Sequence, residues 1–147
     1  MPREFKTILC PTDFSDASYH ALEYALRFAR LSNGSLIIPH ILHDTMSPEF
    51  RPGGHAIPFQ EVKKAAAAKL EELWNQKLGG YPHCTLLVEI GDPFKEIVSM
   101  AKEHKADLII TATHGRTGVQ HLLIGSVAEK LVRHAPCPVF IVREGVD

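Results

Sequence analysis

The sequence predicts one α/β domain built on a parallel sheet, and three observations carry that expectation. Five short runs are apolar at consecutive positions, the pattern of strands buried on both faces. Segments with apolar residues at helical spacing separate them, so the order reads β-α-β-α-β-α-β-α-β, which means parallel strands joined by right-handed crossovers. A length of 147 residues, 45% hydrophobic and 22% charged, suits one core and a single domain spanning residues 1–147.

The first apolar run is Thr7 to Cys10. A helix is expected from about Ala17 to Leu31, where Ala21, Leu22, Ala25, Leu26, Phe28 and Ala29 share a stripe and Asn33-Gly34 signals the stop. The second run, Ser35 to Leu42, contains Pro39, which removes a ladder donor and argues for a bulge or a shorter strand. His43 to Pro58 holds Pro48, Pro52, Gly53, Gly54 and Pro58 and reads as a long irregular loop. A second helix is expected over about Gln60 to Leu78, with Val62, Ala66, Leu70, Leu73 and Trp74 on one stripe and Gly79-Gly80 at its end. After the run Thr85 to Ile90, Asp92 as N-cap and Pro93 at the first helical position open a third helix, about Phe94 to His104. The fourth run is Asp107 to Ala112. Ser126 and Glu129 have capping-box spacing before a fourth helix, about Val127 to His134, and Pro138 to Val142 is the last run.

Composition excludes several function classes. The net charge of −1 lacks the basic footprint of a nucleic-acid binder, and no polybasic stretch suits a membrane surface. No apolar segment approaches the ~20 residues of a membrane span, and Met1 to Phe5 lacks the apolar stretch of a signal peptide. Cys10, Cys84 and Cys137 are an odd set without close pairs, which argues against a disulfide framework and for buried thiols at Cys10 and Cys137. A reducing cytoplasm is the expected location.

In open α/β sheets, ligands bind beyond the carboxyl ends of the strands, so the loops there hold the candidate chemistry. The loop after the first run reads Pro11-Thr12-Asp13-Phe14-Ser15. A carboxylate at Asp13 can accept hydrogen bonds from both hydroxyls of a ribose; alternatively Asp13 or Ser15 caps the following helix. The loop after the fourth run reads Thr113-His114-Gly115-Arg116-Thr117-Gly118, then Val119 to Ile124, then Gly125-Ser126. Glycines permit close approach of the backbone to a ligand, and a helix N-terminus offers N–H groups and a positive dipole end to an anion. Gly125, Ser126 and Val127 are thus placed to hold phosphate oxygens, with Ser126 sharing that duty with capping. The alternative is an ordinary glycine turn before a capped helix.

These segments carry a resemblance. Ala106-Asp107-Leu108-Ile109-Ile110, Thr113 to Gly118, Gly125-Ser126-Val127-Ala128-Glu129-Lys130 and Ala135-Pro136-Cys137-Pro138-Val139 closely resemble the universal stress protein family. Ile8 to Ser15 resembles that family's first strand and loop, and Gly91-Asp92-Pro93 is also similar. The resemblance spans essentially the whole chain and is weakest from Asp44 to Pro58. It implies a Rossmann-like, doubly wound domain: a five-stranded sheet in the order 3-2-1-4-5, helices on both faces, and a homodimer through the C-terminal strand. Members with Gly-x2-Gly-x9-Gly-Ser/Thr tend to bind ATP. Here Gly115 and Gly125 are separated by nine residues and followed by Ser126, whereas Ala112 occupies the first glycine position. Alanine is tolerable there if its φ is negative.

By the same resemblance Asp13 holds the ribose, the main chain at Ile41 meets the adenine edge, and Pro11 and Thr12 lie nearby. Gly115, Gly118, Gly125, Ser126 and Val127 cradle the phosphates, and Arg116 reaches the outer ones by charge. The implied ligand is ATP, with magnesium as a candidate companion. No residue is assigned as catalytic: the chain lacks a Gly-x4-Gly-Lys-Ser/Thr loop and a Gly-x-Ser-x-Gly elbow, so slow ATP hydrolysis is the most enzymatic reading. No metal site is expected from the nine histidines; His40 and His43 lack a metal-ligand spacing, and His114 is expected to shape its loop by hydrogen bonding. The expectation is an ATP-binding stress-response regulator; the alternative is a dimeric interaction module that binds no nucleotide, working through the exposed edge of the last strand.

Overall fold

A computed structural model describes residues 4–43, 59–114 and 124–143. Nine elements alternate: β1 (Thr7–Leu9), α1 (Asp16–Ser32), β2 (Ser35–His43), α2 (Phe59–Lys77), β3 (Cys84–Gly91), α3 (Pro93–Glu103), β4 (Leu108–Ala112), α4 (Ser126–His134) and β5 (Val139–Val142). The strands form one sheet in the order β3-β2-β1-β4-β5 with every pairing parallel. The expected architecture is therefore present. Most of the irregular stretch, residues 44–58, lies outside the described residues.

Consecutive apolar residues are what a sheet with two covered faces requires, because successive side chains point to opposite sides. Ile8, Leu36, Ile38, Leu108 and Ile110 pack on one face with Leu22, Ala25 and Ala29 of α1 and Leu70 and Leu73 of α2. Their neighbours Leu9, Ile37 and Ile109 pack on the other face with Ile97, Met100 and Ala101 of α3 and Leu131 of α4.

Pro39 lies inside β2, paired in register with Leu87 of β3, and no bulge is needed. Cys10 N–H donates to Ile37 O at 2.9 Å and Thr12 N–H to Pro39 O at 3.0 Å, so these β2 residues turn their main-chain groups toward β1. The donor Pro39 lacks would thus face the chain after Leu9, where β1 has ended. Proline removes a bond only at the fraying end of a ladder.

The end of α1 is closed by its own chain. Asn33 takes the left-handed conformation at φ 52, and its N–H reaches back to Arg30 O. Gly34 then passes so close to β1 that a Cβ on it would lie 2.4 Å from Lys6 O. Tyr81, which the sequence pattern did not single out, anchors the same corner: its buried hydroxyl lies 2.7 Å from Gly34 O and 3.2 Å from Ala29 O. Tyr81→Phe is expected to lower unfolding free energy by about 1–2 kcal/mol through loss of this donor, read by denaturant melts; an unchanged midpoint would remove the anchoring role.

Cys10 is buried, as expected, and burial pushes its thiol pKa well above the ordinary range. Cys137, expected to be buried, is only half-buried, packed at the margin of the α3/α4 face in the turn between α4 and β5.

Candidate functional site

The chain order reverses between β1 and β4: from β1 it proceeds to β2 on one side, and β4 and β5 lie on the other. The chain leaves the carboxyl ends of β1 and β4 at the same edge of the sheet, the position where open α/β sheets take up ligands.

The first loop is built by short side chains satisfying its own backbone. Ser15 is the N-cap of α1, accepting from Ser18 N–H at 3.2 Å. Capping therefore belongs to Ser15, while Asp13 Oδ1 accepts Ser15 N–H at 3.0 Å in a tight turn. Thr12 Oγ1 accepts Phe14 N–H at 3.1 Å and lies 2.9 Å from Ser18 Oγ. Phe14 sits at φ 65, a left-handed conformation that is costly for an aromatic residue. It is held there from two sides. Its ring lies 4.4 Å from the His40 ring, centroid to centroid, and Lys69 Nζ sits 4.5 Å from its centroid. His40 Nδ1 donates to Thr12 O at 2.8 Å, tying β2 to the loop and fixing the proton on that nitrogen. Thr12 is buried, and Pro11 and Asp13 are half-buried.

Sequence reading missed Phe14, His40 and Lys69 as supports of this loop. A histidine inside the apolar run of β2 was the available signal, since a polar ring there needs a partner. Ile41 is half-buried in β2 opposite Glu89. By the parity that turns Ile37 and Pro39 toward β1, its main-chain groups face past the end of β1 and toward the loop.

On the β4 side, Ala112 is the last residue of the strand and has no positive φ, so alanine fits the place of the first motif glycine. Gly125 N–H donates to Thr113 O at 2.6 Å, clamping the start of α4 onto the end of β4. Gly125 is the N-cap of α4, and no side-chain cap hydrogen bond is made there among the described residues. The expected capping box is absent: Ser126 stands one position too late, Glu129 N–H bonds to Gly125 O, and the Glu129 carboxylate pairs with Arg133 at 3.2 Å. Helix geometry leaves the N–H groups of Ser126, Val127 and Ala128 without intrahelical acceptors. Donors of this kind, together with the positive dipole end of a helix, suit an anion. Gly115, Arg116 and Gly118 lie outside the described residues.

His114 is the last described residue after β4. Its Nδ1 is buried and has no hydrogen-bond partner among the described residues, and the loop that follows it lies outside them. Among those residues no group of three His, Cys, Asp or Glu side chains is placed to hold a metal ion, and no helix is long and apolar enough to cross a membrane.

The comparisons with known proteins agree with this geometry. A sequence model of the universal stress protein family matches residues 4–143. Universal stress protein MJ0531 of Methanocaldococcus jannaschii is 31% identical over 95% of this chain and 83% of its own. The structure of MJ0577 from the same organism, also a universal stress protein, superposes with a TM-score of 0.83 at 26% identity, covering 99% of this chain and all of the other. A universal stress protein in complex with cAMP superposes with a TM-score of 0.72 at 25% identity, covering 96% of this chain and 98% of that one.

Proposed function

The chain belongs to the universal stress protein family, and from that premise we propose that it binds ATP, or a close adenine nucleotide, in the crevice between the loops after β1 and β4. The observation that carries the proposal is the N-terminus of α4, which has no side-chain cap among the described residues and is clamped to Thr113 at the carboxyl end of β4, one of the two strands at the switch point of the sheet. A relative of the same fold has been captured with cAMP, which supports an adenine nucleotide as the ligand class.

In this reading Asp13 accepts from the ribose hydroxyls through the carboxylate that also closes the loop on Ser15. The main chain of Ile41 meets the adenine edge, with Pro11 and Thr12 beside it. The N–H groups of Gly115, Gly118, Ser126 and Val127 surround the phosphates, Gly125 brings α4 close enough for them to do so, and Arg116 reaches the outer phosphates, with magnesium as a companion ion. Nothing in this set positions a general base, so the role is regulatory: nucleotide binding changes conformation or association in a cytoplasmic stress response. Purified protein, denatured without added nucleotide and analysed by mass spectrometry, is expected to release an adenine nucleotide. If none is released and the emptied protein does not take up ATP, the reading fails.

One observation favours association as the output. β5 pairs only with β4 among the described strands and ends the sheet. Phe140 on it is 36% exposed, with its ring 5.3 Å from Phe28 and 5.9 Å from Tyr24 of α1, centroid to centroid. An apolar edge of this kind invites a second copy. Phe140→Lys is expected to halve the molar mass in sedimentation equilibrium; an unchanged dimer would move the interface elsewhere, and a monomeric wild type would remove it.

A further inference from the structure

The main chain on either side of Asp13 is held from β2. Two consecutive β2 residues grip Thr12, the residue before it. Thr12 N–H donates to Pro39 O at 3.0 Å, and the His40 ring donates from Nδ1 to Thr12 O at 2.8 Å. The Thr12 hydroxyl in turn accepts the N–H of Phe14, the residue after Asp13, at 3.1 Å. The His40 ring also lies 4.4 Å from the Phe14 ring, centroid to centroid, against a residue kept at φ 65. His40 thus meets both sequence neighbours of Asp13, one by a hydrogen bond and one by ring contact. β2 is a firm base for this, because it pairs with β3 from Leu36 to His43, with His40 opposite the buried Val88.

We infer that His40 is a positioning residue for the ribose: by donating to Thr12 O and packing on Phe14 it fixes the direction of the Asp13 carboxylate, so preference for a sugar with both hydroxyls is set from β2. The inference rests on the nucleotide reading above. A hydrogen bond weakens steeply with distance and angle, and a carboxylate accepting from two hydroxyls must satisfy both at once. A left-handed aromatic residue relaxes unless its surroundings over-determine it, and relaxation at Phe14 would turn the chain at Asp13. A loop ordered before the ligand arrives loses no affinity to ordering. Histidine suits the task because one ring supplies both a directed N–H donor and an aromatic face.

The test titrates the nucleotide-free chain with ATP and, separately, with 2′,3′-dideoxy-ATP, which keeps the base and phosphates and lacks both hydroxyls. The wild type is expected to prefer ATP by about tenfold or more. His40→Phe keeps a ring beside Phe14 but removes the donor. It is expected to weaken ATP binding about tenfold and dideoxy-ATP binding by less than about twofold, so the preference collapses. His40→Asn, whose amide nitrogen falls near the Nδ1 position, restores most of the preference; His40→Gln, whose amide falls near Nε2, does not. If the Phe variant does not fold, the Asn and Gln pair decides. A role confined to stability would leave the ratio of the two affinities unmoved. Equal losses for the two ligands, no loss, or equal restoration by Asn and Gln overturn the assignment while leaving the nucleotide reading intact. So does a wild type that binds the two ligands alike. A wild type that binds neither ligand overturns the nucleotide reading itself, and the assignment with it.

Discussion

Gly125→Val is expected to eliminate saturable ATP binding and to destabilise the fold. A Cβ at this position would lie 2.8 Å from Thr113 O, well inside ordinary contact. The obstacle is main chain that is already receiving the Gly125 N–H, so it cannot swing away as a flexible side chain could. The conformation of Gly125, φ −73 and ψ 163, is open to any residue; the position demands space, not an unusual φ. A valine must push α4 off β4, breaking the clamp and moving the Ser126 and Val127 N–H groups from the crevice. Overpacking of this kind costs about 1–3 kcal/mol, visible in a denaturant melt. The loss of affinity should exceed what that destabilisation explains, because a helix displaced by even about 1 Å misdirects all its donors at once. A variant that folds and binds ATP with wild-type affinity would show that the phosphates are not held at α4.

Asp13→Ala is expected to weaken ATP about a hundredfold, since two hydrogen bonds to a charged carboxylate are lost together. It also removes the acceptor of the Ser15 N–H, so a fall of about 1 kcal/mol in stability should accompany it. Asp13→Asn separates the two effects. Its carbonyl can still accept from Ser15 and hold the turn, but it cannot accept from both ribose hydroxyls. The account therefore predicts near-wild-type stability with clearly weakened ATP binding for Asn, measured by melting and calorimetry on the same preparation. Unchanged affinity in both variants would restrict Asp13 to its structural role.

Much of this architecture is legible in the sequence because burial on both faces writes itself as consecutive apolar residues. Ile8, Leu9, Ile37, Ile38, Ile109 and Ile110 alternate between the two helical layers, as strands of a parallel sheet covered on both faces do. Asp92 and Pro93 opened α3 as local chemistry dictates, with Asp92 accepting the Lys95 N–H. The misreadings came where tertiary contacts overrode local rules. Ser126 and Glu129 have the spacing of a capping box, yet the docking of Gly125 on Thr113 moves the cap one residue earlier, and local spacing carries no trace of a contact across the sheet edge. Pro39 looked disruptive because a proline's harm depends on where the neighbouring strand ends. The left-handed Phe14 is equally illegible, because its stability comes from His40 and Lys69, distant in sequence. At the site, Asp13 and the segment Gly125 to Val127 were visible from residue type and position, whereas the orphaned nitrogen of His114 could be recognised only once its surroundings were known.

The central claim is that the crevice beyond β1 and β4 binds an adenine nucleotide through its phosphates as well as its nucleoside. The most direct measurement is a calorimetric titration of nucleotide-free protein with ATP and magnesium, set beside the same titration with adenosine. The account predicts saturable binding of one ATP per chain and distinctly weaker binding of adenosine. Heats that never saturate with ATP, or equal affinity for ATP and adenosine, would contradict it.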